Sequence, residues 1–270
     1  MEERSMIKIR NMSFSYKDRV IFSDFNLDIK KGSFVSLIGR NASGKSTLSK
    51  ILVGLLKYIG YININGFLLN SQNIKEIRRY ISLCNDNLDS YFIGETIKDD
   101  LAFSLENLEY SKKEMDGTIN NISTVFKIDD LLEKVPSDLN NSDKVKCIIA
   151  SSLIHNPKVL ILDEILEYLN PIDKKLVFKI LKDYQKKKEL TIILITHNLE
   201  DTLLSDRIIV LDDGKIIKDD SKENIYGDES LEKLGFNLPF VVKLSHNLIL
   251  YDILDKVYFD MGKMVDEIWE

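Results

Sequence analysis

Apolar and polar positions alternate over Ile7–Tyr16 and again over Ile21–Ile29, the two-residue period of strands with one buried face, and turn residues follow at Lys30–Gly32. Phe34–Ile38 is instead an unbroken apolar run, the mark of a strand buried on both faces, and leads through a glycine-containing loop into a helix-compatible run, Thr47–Leu56. Tyr61–Asn65 and the Gly66 turn predict another strand, Ile74–Tyr80 a helix and Tyr80–Leu83 a short strand. The middle, Glu95–Leu132, is polar and helical by pattern, with acidic and Lys-rich faces that predict solvated surface. From Lys144 the order is helix, strand Val159–Leu162, helix Lys174–Lys187, strand Thr191–Thr196, helix from Leu199 and strand Arg207–Leu211. Strand and helix in alternation predict an α/β fold, a mostly parallel sheet with helices on both faces. The remainder, 221–270, carries Gly235, Pro239 and further amphipathic runs and predicts a small C-terminal extension.

Composition narrows this picture only at its edges. With 270 residues, 44% of them apolar, the chain can bury a large core without staples. Its longest apolar runs are far too short to cross a bilayer, and Met1–Arg10 is followed by no apolar signal region, so a cytosolic protein is expected. Cys84 and Cys147 have no pairing or metal-site spacing and are expected reduced and structural. A net charge of −6 argues against a broad nucleic-acid surface.

The chemistry sits at strand ends. Gly39-Arg40-Asn41-Ala42-Ser43-Gly44-Lys45-Ser46-Thr47 fits the phosphate-cradling pattern G-x-x-x-x-G-K-[ST] between a predicted strand and a predicted helix. Gly39 and Gly44 let successive N–H groups converge on an anion, the helix N-terminus adds its dipole, Lys45 can neutralise β- and γ-phosphate, and Ser46 can ligate Mg²⁺. Val159–Leu162 delivers Asp163 and Glu164 to the carboxyl end of a buried strand, where α/β sheets bind ligands; Asp163 suits a cation and Glu164 can polarise an attacking water. His197 follows the apolar strand Thr191–Thr196, in place to contact a γ-phosphate and orient water.

In this order and spacing the three motifs resemble the ATP-binding cassette (ABC) family over nearly the whole chain. That resemblance implies ATP and Mg²⁺ as ligands, an antiparallel β subdomain, a helical subdomain at about 86–156 within an ATPase domain 1–220, and adenine stacking on Tyr16 of Phe14-Ser15-Tyr16. Phe92-Ile93-Gly94-Glu95-Thr96, the run Asp100–Asn107, and Leu234-Gly235-Phe236-Asn237-Leu238-Pro239-Phe240 look like the energy-coupling factor branch, importers of vitamins and transition metals. On that resemblance 221–270 helps pair two ATPase subunits. The implied partners are a second ATPase, a transmembrane coupling subunit and a substrate-binding membrane protein, with no nucleic acid. The implied location is the cytoplasmic face of the membrane, held there by those partners.

Three segments depart from the family pattern. The signature Leu-Ser-Gly-Gly-Gln aligns with Leu139-Asn140-Asn141-Ser142-Asp143, which puts side chains and a negative charge where glycines permit backbone contact with the opposite subunit's γ-phosphate. Asn, Ser and Asp are also good helix caps, so the expectation is helix kept and ligand contact weakened. The metal-contacting glutamine aligns with Asp86, a shorter and charged residue, and the usual Leu-Asp-Pro reads Leu169-Asn170-Pro171. The expected arrangement is an asymmetric heterodimer in which Lys45, Asp163, Glu164 and His197 work against a partner's normal signature. A non-hydrolysing regulatory subunit and a non-transport ABC ATPase are the alternatives.

Overall fold

A computed structural model describes residues 5–106, 110–227 and 230–269; Asn107, the last residue of one quoted run, lies outside them. The two alternating segments become β1 (Ser5–Tyr16) and β2 (Arg19–Lys30), an antiparallel pair, and the apolar run becomes β3 (Phe34–Gly39), buried at every position. α1 (Lys45–Leu52) is shorter than the expected Thr47–Leu56 because Gly54, at φ 69, turns the chain. β4 (Ile59–Ile64) pairs with β1 and with the two-residue β5 (Phe67–Leu68), closing a four-stranded antiparallel sheet in the order β2-β1-β4-β5.

α2 (Ile74–Tyr80) leads into β6 (Ile81–Cys84). The polar middle forms α3 (Ile97–Glu106) and α4 (Lys112–Phe126), and both bury an apolar stripe: Ile97, Leu101 and Leu105 on one, Ile119, Ile122 and Phe126 on the other. They pack on α5 (Asn141–Ile154), which starts three residues before the expected Lys144 because Asn140 caps it. β7 (Val159–Asp163), α6 (Pro171–Lys188), β8 (Thr191–Ile195), β9 (Arg207–Asp212) and β10 (Lys215–Ser221) complete a six-stranded sheet, β10-β9-β3-β8-β7-β6, parallel except for β10. Where a helix is expected from Leu199 the chain forms a single 3₁₀ run, Leu199–Leu204, started by the Asn198 side chain accepting from Glu200 N–H. Such short 3₁₀ pieces serve as connectors.

Three apolar clusters tie the layers together: one between the two sheets and α1, one between the large sheet and α3–α6, and a third on the sheet's Ile38, Ile208 and Val210. The third is closed by α7 (Lys222–Tyr226), α8 (Ser230–Lys233), α9 (Phe240–Leu250) and α10 (Met261–Trp269), which contribute Tyr226, Leu231, Val242 and Met264. Among the described residues no helix is long and apolar enough to cross a membrane.

Candidate functional site

β3 ends at Gly39 and α1 starts at Lys45, so Arg40–Gly44 must reverse the chain in five residues. A Cβ at Gly39 would lie 2.1 Å from the Leu211 carbonyl oxygen, so only glycine lets β3 and β9 stay in register there. Ala42 (φ 63) and Gly44 (φ 108) sit in the left-handed region, the alternation that turns successive N–H groups toward one point. The first-turn N–H groups of α1 face the same way without helical partners. Gly214 N–H donates to Ser43 O at 3.1 Å and pins the loop from behind. Ser43 Oγ is buried with no hydrogen-bond partner among the described residues, an orphan that an anion's oxygen would satisfy.

Lys45 Nζ donates to Gly39 O (2.9 Å) and Arg40 O (3.0 Å), which folds the side chain back over the loop. Burial pulls its ammonium below the usual lysine value, opposed by the charges of Glu164 and Asp163. An open cleft of about 590 Å³ is lined by Asn41, Ala42, Ser43, Gly44, Lys45, Ser46 and Thr47 together with Tyr16, Arg19, Ile21 and Glu164. Tyr16 stands 43% exposed at its rim, its ring perpendicular to that of Phe14 with centroids 4.7 Å apart. Gly39 and Arg40 do not line this cleft; Arg40 borders a second one with Leu234 and Phe236.

Asp163, at the end of β7, accepts from Ser46 Oγ (3.0 Å) and Ser49 Oγ (2.8 Å). Burial pushes its carboxyl up, against those two hydrogen bonds. Hydroxyl and carboxylate oxygens at this spacing are the hard donors Mg²⁺ takes, so the residues present fit that ion. Asp86 is exposed in the loop after β6, and its charge adds to the potential at Asp163. Tyr91 braces this loop by accepting from Asn85 N–H at 2.6 Å and donating to Leu83 O at 3.1 Å.

Glu164 has φ 58, strained for a residue with a Cβ, and its N–H donates to Ile195 O at 2.9 Å. That bond locks the ends of β7 and β8 together, which brings the residues following each strand side by side. The Glu164 and Glu167 carboxylates and the His197 imidazole accordingly lie within 4.8 Å of one another. His197 Nδ1 is 2.8 Å from Glu167 Oε1. Sequence reasoning missed Glu167, although its position three residues after Glu164 in a 3₁₀ turn, Ile165–Tyr168, is a spacing that stacks two side chains on one edge. It missed Ser49, one helical turn beyond Ser46, for the same reason.

The altered signature lies apart from this cleft. Leu139 is buried in the helical core, and Asn140 Oδ1 accepts from Asp143 N–H at 2.9 Å. Ser142 turns inward, donating to Asp173 Oδ2 at 2.6 Å and accepting from Asn170 N–H at 3.2 Å. Asn170 caps α6 through Ile172 and Asp173 N–H, and Lys146 Nζ bridges Asp143 (2.9 Å) and Asp173 (3.4 Å). The expected negative charge at Asp143 is thus met by an ammonium, Asn141 is an exposed first-turn residue, and the polar side chains of Asn140, Ser142 and Asp143 serve the N-termini of two helices.

A phosphate cradle, a buried carboxylate beside a hydroxyl, and a glutamate and histidine at adjacent parallel strand ends define a nucleotide-binding P-loop protein. The model of the ABC transporter family matches residues 22–167, and the chain belongs to that family. It is 37% identical over 270 residues to the energy-coupling factor transporter ATP-binding protein EcfA1 of Mesomycoplasma hyopneumoniae, covering 98% of each chain. It is 36% identical to EcfA1 of Ligilactobacillus salivarius, covering 98% of this chain and 96% of that one. Among solved structures, cbiO1 of Clostridium perfringens, described as part of the ABC transporter complex cbiONQ, superposes with a TM-score of 0.77 at 26% identity, over 90% of this chain and all of that one.

Proposed function

We propose that the chain is the ATP-hydrolysing subunit of an energy-coupling factor importer of vitamins or metal ions, working with a second ATPase at the cytoplasmic face of the membrane. Residues 1–220 would form the ATPase unit and 221–270 the extension through which two such subunits pair. The observation that carries the reading is the cleft itself, where Asn41–Thr47 of the loop, Tyr16 and Glu164 share one space.

Adenine stacks on Tyr16, and the phosphates lie in the N–H cradle with Lys45 neutralising their charge. Ser46 and Asp163, with Asp86 nearby, would hold Mg²⁺, which supplies charge neutralisation across the β- and γ-phosphates. Glu164 orients a water and takes its proton as the oxygen attacks the γ-phosphorus; the bond to the bridging oxygen breaks and leaves ADP and phosphate. His197 Nε2 contacts the γ-phosphate, since Nδ1 faces Glu167. The inward turn of Ser142 and the Asp143–Lys146 pair support a second, ATP-holding site completed by Leu139, Asn140, Asn141, Ser142 and Asp143. The same features favour, as a second reading, a subunit that binds ATP without hydrolysing it.

The test is ATP turnover by the complex purified through a tag on this chain, with and without Glu164→Gln. Loss of about a hundredfold or more, with ATP binding to the chain retained, supports hydrolysis at this cleft. Unchanged turnover would establish the non-hydrolysing subunit instead.

A further inference from the structure

His197 is the only histidine near the cleft, since Ser82 engages His155 and the Tyr226 carbonyl engages His246. Its ring is held on one side alone: Nδ1 meets Glu167 Oε1 at 2.8 Å, and Nε2 has no hydrogen-bond partner among the described residues. The loop below is stiff, because Asn198 N–H donates to Thr196 Oγ1 at 3.0 Å and Asn198 caps the following 3₁₀ run. The turn carrying Glu167 is stiff as well, since Glu164 N–H is bonded to Ile195 O and Leu169 N–H to Leu166 O. Two rigid backbones therefore present one carboxylate to one imidazole. The nearby ammonium cannot take that carboxylate away, because Lys174 donates to both oxygens of the buried Asp201, at 2.9 and 2.8 Å.

We propose that Glu167 is a positioning residue for ATP hydrolysis, fixing the ring of His197 through Nδ1 so that Nε2 is directed at the γ-phosphate. Without that partner the half-exposed imidazole is free to rotate about its χ angles, and a ring that spends most of its time turned away contacts the phosphate rarely. Holding a catalytic ring by its far nitrogen is a device with large kinetic weight where it occurs. Glu167 touches neither nucleotide nor water in this account, and the inference rests on the reading that this cleft hydrolyses ATP.

What positioning requires is a polar atom at this reach opposite Nδ1: a carboxylate accepts from Nδ1–H, and an amide can accept there or donate to the bare nitrogen and leave Nε2–H for the phosphate, which makes the test sharp. In the tagged, assembled complex, Glu167→Ala is expected to lower kcat about tenfold to a hundredfold while KM for ATP changes less than about threefold. Glu167→Gln, which keeps a polar partner at the same reach, is expected to retain kcat within about threefold. In the isolated chain, with three histidines in all, ¹⁵N spectra of labelled imidazoles should show the His197 resonance moving in Glu167→Ala and the other two unmoved. A residue serving only local packing would not move that signal. Full turnover in Glu167→Ala, or a Gln variant as slow as Ala, overturns the proposal. Glu164→Gln and His197→Ala in the same assay separate the two failures: if both leave turnover intact, the hydrolysis reading falls, and if both abolish it while Glu167→Ala does not, only the positioning role falls.

Discussion

Replacing Lys146 by Met keeps the length of the side chain and removes the cation that joins the starts of α5 and α6. The lysine side chain is 9% exposed, against 22% for Asp143 and 16% for Asp173, so the variant leaves two carboxylates facing each other with little water. Breaking a fully buried pair from one side costs about 3–5 kcal/mol; the residual solvent at both acids brings the expectation to about 2–3 kcal/mol. At about 2 °C per kcal/mol for a chain of this size, the melting temperature should fall by about 4–6 °C. The dependence on pH is part of the prediction. Desolvation pulls the Asp173 carboxyl up but is outweighed by hydrogen bonds from Ser142, Lys146 and Asn170 and by the Lys146 charge, so its value lies below the ordinary 3.8. Its stabilisation is therefore complete above that range and lost as pH falls through the folded value. Desolvation likewise opposes the Lys146 ammonium, yet Asp143 and Asp173 raise it above 10.5, so its contribution is full below that value and lost only above it. The wild-type chain thus loses this contribution only outside roughly pH 4–10, whereas the variant's defect should be largest near neutrality and shrink toward about pH 4, as the Asp173 carboxyl takes up a proton. Melting curves by circular dichroism at about pH 7 and about pH 4.5 measure both. A shift under about 1 °C at neutral pH, or an equal shift at both, would refute the reasoning, and ATP affinity at the cleft should be unchanged because no residue of this network lines it.

Gly39→Ala drives a methyl group into the Leu211 carbonyl at 2.1 Å, so ATP binding by the isolated chain, read by equilibrium dialysis, should weaken at least about tenfold. Tyr226→Phe removes a fully buried hydroxyl that bonds Thr202 Oγ1 at 2.5 Å; because Thr202 still donates to Leu199 O, urea unfolding should show a loss of only about 1 kcal/mol. Burial pushes the Cys84 and Cys147 thiols up to about 12, so neither should react with a disulfide reagent at pH near 8 until the chain is unfolded, when both should.

The parallel core was legible because β3, β7 and β8 are buried on both faces and leave an unbroken apolar signature, and the loop between β3 and α1 because its chemistry needs fixed spacing. β10 escaped notice since Lys215–Ser221, half of it exposed, pairs on one edge only and carries an alternation too polar to stand out. The 3₁₀ run at Leu199–Leu204 has the apolar spacing of a helix, but Asp201 is drawn down to Lys174 and Ser205 to Ser36, and these contacts across the fold stop it after six residues. Glu167 shows the same limit within the site. Nothing along the chain says that the turn after β7 will face the turn after β8; that follows from their pairing in the sheet. Ser142 was legible as a helix-start residue, whereas its partner Asp173 lies 31 positions away.

The last fifty residues are welded to the rest by more than apolar surface. Arg40, inside the phosphate loop, donates to Leu234 O at 3.1 Å, and Glu200, beside the histidine loop, accepts from Phe240 N–H at 2.6 Å. Tyr226, Val242 and Met264 meanwhile complete the cluster built on Ile38, Ile208 and Val210. For anyone building chimaeras between relatives, this means the tail is not an exchangeable module. A transplanted tail must match the strand residues it will sit on, and it must carry the two backbone groups that Arg40 and Glu200 grip, or the graft will unsettle the very loops it was meant to leave alone.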